Sequence, residues 1–136
     1  MLNLPIHHIG VATKDLGKER AIFEKLGFSK EAEFIDEAQG VKGEFMIPCE
    51  ANFPLYRFEL LSNLNTNGPL DSYLKNHTKM YHIAYESKNL QKDTLFLTQT
   101  GGGIIIIPIM EATYFSKLCF IMMPNHLLIE LVELKK

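Results

Sequence analysis

The chain has 136 residues, 46% hydrophobic and 22% charged, with a formal net charge of −2. That length suits one domain with a sizeable core, and the charge balance argues against the basic face of a nucleic-acid binder. The apolar runs are too short to span a bilayer, no basic-then-apolar leader is read, and Cys49 and Cys119 lack CxxC spacing, so a cytoplasmic protein with reduced thiols is expected.

Ile6–Ala12 reads as a strand, with His7, Ile9 and Val11 on one face and His8, Gly10 and Ala12 on the other. Asp15 is placed to cap a helix whose apolar stripe is Leu16, Ile22, Phe23 and Leu26, and Gly27 is placed to end it. Phe34–Ile35, Val41–Pro48 and Leu55–Leu61 read as three strands, separated by turns at Gly40 and at 49–54. Asn63–Pro69 is a polar loop, and Leu70–Asn76 a short helix. Met80–Glu86 is then a strand, and Leu90–Thr100 a helix ended by Gly101-Gly102-Gly103. Ile104–Ile109, Lys117–Met123 and His126–Leu134 complete the chain as strands. The glycine triplet follows a helix instead of preceding one, so it is a connection and not a phosphate loop.

The order repeats, and so do the residues. His8-Ile9-Gly10-Val11-Ala12-Thr13-Lys14-Asp15-Leu16 is matched by His82-Ile83-Ala84-Tyr85-Glu86-Ser87-Lys88-Asn89-Leu90, and the same separation carries Gly27 onto Gly101. Phe58-Glu59-Leu60 is echoed by Ile129-Glu130-Leu131. Self-similarity at a near-constant offset marks a duplicated structural unit. The expected fold is α+β: two tandem βαβββ modules, about 5–62 and about 79–136, in one domain. Their curved sheets would form a half-open barrel around a metal site.

Glu59 and Glu130 each stand alone in an apolar strand, where a carboxylate is costly to bury unless it is paired or bound to a cation. For one such glutamate a salt bridge is the simpler explanation. Two at equivalent positions of a repeat, each matched by a repeated histidine, favour a metal. Two imidazoles and two carboxylates suit one divalent ion such as Zn, Ni, Co, Mn or Fe, so His8, Glu59, His82 and Glu130 are the expected ligands. Glu86 shares the strand parity of His82, and Arg57 that of Glu59. Arg57 is a candidate for an anionic substrate group, with neutralisation of Glu59 or Glu86 as the competing role. His7, His77 and His126 lack repeat partners and read as surface or loop residues.

His8-Ile9-Gly10-Val11-Ala12, Arg57-Phe58-Glu59-Leu60-Leu61, Tyr81-His82-Ile83-Ala84-Tyr85-Glu86 and Leu128-Ile129-Glu130-Leu131 together resemble the vicinal oxygen chelate superfamily. That superfamily includes glyoxalase I, methylmalonyl-CoA epimerase, extradiol dioxygenases and bleomycin-resistance proteins. The resemblance covers nearly the whole chain and implies metal ligands at His8, Glu59, His82 and Glu130. It also implies an enzyme that moves a proton next to a carbonyl through an enediolate or enolate, as a lyase or an epimerase. Glu130 would be the base and Glu59 a second candidate. The substrate would be a small molecule, with a thioester or hemithioacetal among the options, and the protein a homodimer. A metal-free binding protein of the resistance type and a metal-dependent dioxygenase are the alternative outcomes. The stretch 68–76 and Gln39-Gly40-Val41 look most like the epimerase. The second base that bacterial epimerases of this type can carry falls on Gly43, with Glu44 beside it; the pleat turns Glu44 to the opposite face unless a bulge intervenes.

Overall fold

A computed structural model describes residues 1–136. The chain forms two compact units, one made of His8–Tyr81 and the other of Met1–His7 joined to His82–Lys136. The architecture is α+β, built from two tandem βαβββ modules.

In the first module the order is β1 (Ile6–Ala12), α1 (Leu16–Lys25), β2 (Phe28–Asp36), β3 (Val41–Pro48), β4 (Phe58–Asn63) and the short α2 (Asp71–Lys75). The strands lie in the order β2-β3-β4-β1, with β1 parallel to β4 and the other pairs antiparallel. The Asp15 side chain accepts from the Lys18 amide and starts α1, and Gly27 at φ 97° turns the chain out of it, a conformation that costs glycine nothing. Val11, Phe23, Met46 and Leu60 form the core between α1 and the sheet. Ala12, Val41, Leu61 and Leu70 form a second core on the opposite face, with Tyr73 and Leu74 of α2 packed against it.

The second module repeats the plan with β5 (Met80–Glu86), α3 (Leu90–Leu95), β6 (Ile104–Glu111), β7 (Lys117–Met122) and β8 (Leu128–Glu133). Its strand order is β5-β8-β7-β6, with β5 parallel to β8. Leu90, Cys119, Ile121, Ile129 and Leu131 make the core under α3. β2 and β6 have one strand neighbour each, so both are edges. In β6, Ile104, Ile105 and Ile106 are exposed, and its register against β7 breaks twice.

Several boundaries differ from expectation. β2 is far longer than Phe34–Ile35, β4 begins at Phe58 and not at Leu55, and β8 begins at Leu128 and not at His126. The expected helix Leu90–Thr100 is α3 followed by a π-helical turn, Phe96–Thr100. His7 is buried, not at the surface; its ring meets Phe115 edge-on at 5.0 Å. His77 and His126 are exposed, and both take positive φ. No helix is long and apolar enough to cross a membrane.

Candidate metal centre

Strand pleating decides which side chains leave the helix-covered faces. Val11 and Leu60 point into the α1 core, so their alternates on β1 and β4, His8 and Glu59, lie on the other face. Gly10 aligns with Glu59 across the β1/β4 pair, which brings the two side chains together. His8 Nε2 lies 3.2 Å from Glu59 Oε1, and both residues are buried. Phe45, the cross-strand partner of Glu59, meets the His8 ring edge-on at 5.3 Å.

The second module builds the same arrangement from its own residues. Ile129 and Leu131 point into the α3 core and Glu130 away from it, while Ala84 aligns with Glu130 across β5/β8. His82 Nε2 lies 3.1 Å from Glu130 Oε1, again with both residues buried. Phe120 is the cross-strand partner of Glu130 and stands edge-on to the His82 ring at 5.3 Å. Each half-site is therefore a triad of histidine, glutamate and phenylalanine. Phe45 and Phe120 were not singled out from sequence, because an aromatic in an apolar strand reads as ordinary core. Their shared place one strand over from the repeated glutamates was the available signal.

The spacing within each pair fits a cation. Two donors at about 2.1 Å from one ion, subtending an ordinary ligand angle, stand roughly 3.0–3.4 Å apart. Within each module an imidazole and a carboxylate form a buried pair of the donor types that divalent ions take, and each carboxylate carries charge that would offset such an ion.

The remaining candidates have other partners. Glu44 is buried on the α1 face, where Arg20 donates to it through Nε (2.6 Å) and Nη2 (2.7 Å). The hydrogen bond to Glu44, and then its charge, hold the Arg20 guanidinium above its ordinary value. No bulge intervenes at Gly43, where the β3/β4 register is continuous. A Cβ at Gly43 would meet Phe34 Cζ at 2.6 Å and Leu61 Cδ2 at 2.9 Å, so the space for a side chain there is filled. Arg57 donates to Glu31 through Nε (2.7 Å) and Nη2 (3.3 Å). Glu86 is half-buried, its amide donating to the Pro5 carbonyl.

The sequence profile of the Glyoxalase/Bleomycin resistance protein/Dioxygenase superfamily matches residues 7–113. The chain belongs to this superfamily. Solved structures agree in fold. Methylmalonyl-CoA epimerase of Mycobacterium tuberculosis is 21% identical, with a TM-score of 0.82, over 100% of this chain and 94% of that one. A variant of Streptomyces coelicolor methylmalonyl-CoA epimerase, in complex with 2-nitronate-propionyl-CoA, is 20% identical, with a TM-score of 0.81, over 98% and 100%. A hypothetical protein of Bacillus halodurans C-125 is 18% identical, with a TM-score of 0.83, over 99% and 97%. Comparison with curated protein sequences finds no match.

Proposed function

We propose that this superfamily member is a metal-dependent lyase or isomerase that moves a proton at a carbon next to a carbonyl. The observation that carries the reading is the buried His–Glu pair built twice, at equivalent register, with an edge-on phenylalanine behind each histidine. His8, Glu59, His82 and Glu130 would hold one divalent ion, drawn from Zn, Ni, Co, Mn or Fe. When bound, the ion supplies Lewis-acid stabilisation of negative charge developing on substrate oxygen.

The protein's own groups do the rest. Glu130 takes the proton from carbon and returns it, with Glu59 as the second candidate. The phenylalanines hold both imidazoles in place through their edge-on ring contacts. Arg57 holds an anionic group of the substrate. Because Glu44 is engaged with Arg20 and Gly43 is walled in by Phe34 and Leu61, β3 offers no second base on this face. That favours proton transfer by one carboxylate, as in a lyase, over two-base epimerisation. Acyl-CoA thioesters, as in the epimerase complex above, and hemithioacetals are the substrate classes to screen. The protein is further proposed to be a cytoplasmic homodimer, which sedimentation equilibrium checks for assembly.

Elemental analysis of the purified protein beside a Glu59→Ala/Glu130→Ala variant tests the centre. About one divalent ion per chain, lost in the variant, supports it. A metal-free native protein that stays so after reconstitution, yet binds small ligands equally well in the variant, turns the reading to a binding protein of the resistance type. Glu130→Gln should keep metal and lose proton exchange, read by deuterium wash-in from solvent; unchanged exchange excludes Glu130 as the base.

A further inference from the structure

Nothing in the sequence singles out Glu31, yet the fold gives it a specific position. β2 and β3 pair in register except at one point: Lys30 aligns with Met46 and Ala32 with Phe45, leaving Glu31 as the extra residue of a bulge in the edge strand. A bulge re-aims a side chain that regular pleating would send elsewhere. Here the re-aimed carboxylate reaches Arg57, the residue just before β4.

The face matters. Phe58 packs with the α1 core, so alternation sets Arg57 and Glu59 together on the other face, the one carrying His8 and Phe45. The Ile9 amide donates to the Arg57 carbonyl, which locks this stretch of backbone beside β1. Arg57 and Glu59 are two strand residues apart, about 7 Å.

The contact mode also matters. Glu31 takes the guanidinium side-on, through Nε and Nη2. A guanidinium carries five N–H donors in a planar fork. The end-on pair of Nη1 and the outer Nη2 hydrogen is thus left for a second planar anion. Arg20 is held by Glu44 in the same side-on mode, but on the α1 face, away from His8 and Glu59.

We infer that the Glu31–Arg57 pair is the specificity element of the site: Glu31 aims Arg57 so that its open fork binds a carboxylate or phosphoryl group of the substrate. This rests on the metal reading above. It adds a length rule, since the spacing from Glu59 puts the anionic group only a few bonds from the oxygens that the metal-binding face engages. The substrate is then a carbonyl compound that carries its own acid group close to the reacting carbon.

The test is calorimetric binding of acetate, malonate, succinate, glutarate and phosphonoacetate, with metal content measured in the same samples. A diacid of matching length should bind more tightly than acetate. Arg57→Gln should lower its affinity about 10- to 100-fold, the loss of a charge-assisted forked contact. Arg57→Lys, which keeps the charge without the fork, should recover only part of that. Glu31→Gln should weaken the diacid about threefold to tenfold and leave acetate unchanged, as expected of a residue that positions Arg57. Preference for phosphonoacetate over the diacids identifies the phosphoryl group as the source of the anion. Diacids that bind no better than acetate, or equally well to Arg57→Gln with metal retained, overturn the inference. Absence of metal alongside Arg57-dependent diacid binding overturns the metal reading, and the length rule with it, and leaves Arg57 as an anion contact alone.

Discussion

Cutting the Arg20–Glu44 pair from either end should give unequal results, and the inequality tests whether Glu44 is structural. The Glu44 side chain is 6% exposed and that of Arg20 33%. Glu44→Leu removes the buried charge, fills the space with carbon, and leaves Arg20 free to turn toward water. Two charge-assisted hydrogen bonds are lost but no ion is stranded, so the cost is about 1 kcal/mol. Arg20→Leu strands a carboxylate under α1, for which about 3 kcal/mol is the expected cost. With a urea dependence of about 2 kcal/mol per molar, the midpoints should fall by about 0.5 M and 1.5 M. Urea unfolding followed by circular dichroism reads this directly, and the double variant should resemble Glu44→Leu. Metal content and proton exchange should be unchanged in Glu44→Leu, because the side chain faces α1. Equal midpoint shifts would refute the argument from burial. Lost exchange in a folded, metal-replete Glu44→Leu protein would refute the assignment of its face.

Gly43→Ala should cost about 1–3 kcal/mol in the same assay, since the new methyl must displace Phe34, itself packed on Phe45, or Leu61; a neutral substitution would show that the wall is soft. Phe45→Leu and Phe120→Leu should each weaken metal binding by up to about tenfold in a chelator competition, through loosened imidazoles, while folding persists; unchanged affinity would make the rings mere filler. Burial pushes the Cys119 thiol above its ordinary value of 9.0. A group protonated more readily when folded stabilises below its unfolded pKa and ceases to do so as pH rises through the folded one. The stability advantage of wild type over Cys119→Ala should therefore shrink above about pH 9, and native protein should label only at the exposed Cys49. An advantage that grows with pH would contradict the sign.

The duplicated histidines and glutamates were legible because each sits at a matching place in a repeat, whereas the pairing of His8 with Glu59 and of His82 with Glu130 comes from the β1/β4 and β5/β8 registers. The rest depended on contacts remote in sequence. β2 was hidden because Phe28 to Glu33 is mostly polar and its period of two breaks at Glu31. The burial of His7 comes from Phe115, over a hundred residues on. The π-helical turn after Leu95 has the composition of a continued α-helix, so nothing local marked it. Arg57 was singled out by its parity with Glu59, but its partner Glu31 is reached only across β3.

The edge at β6 has a consequence for the protein as a solute. Four consecutive isoleucines on an edge strand are the composition of a cross-β template, and a long flat edge of that kind recruits copies of itself. This edge is neither flat nor continuous. Its register slips between Ile105 and Ile107 and again between Ile107 and Met110, and Pro108 removes one amide donor within the second slip. The kinks leave too short a regular run for another strand to zip along. Keeping the chain dispersed at high concentration thus falls to one imino acid and two misaligned residues, and Pro108→Val is the change that would expose the hazard as fibrils or precipitate.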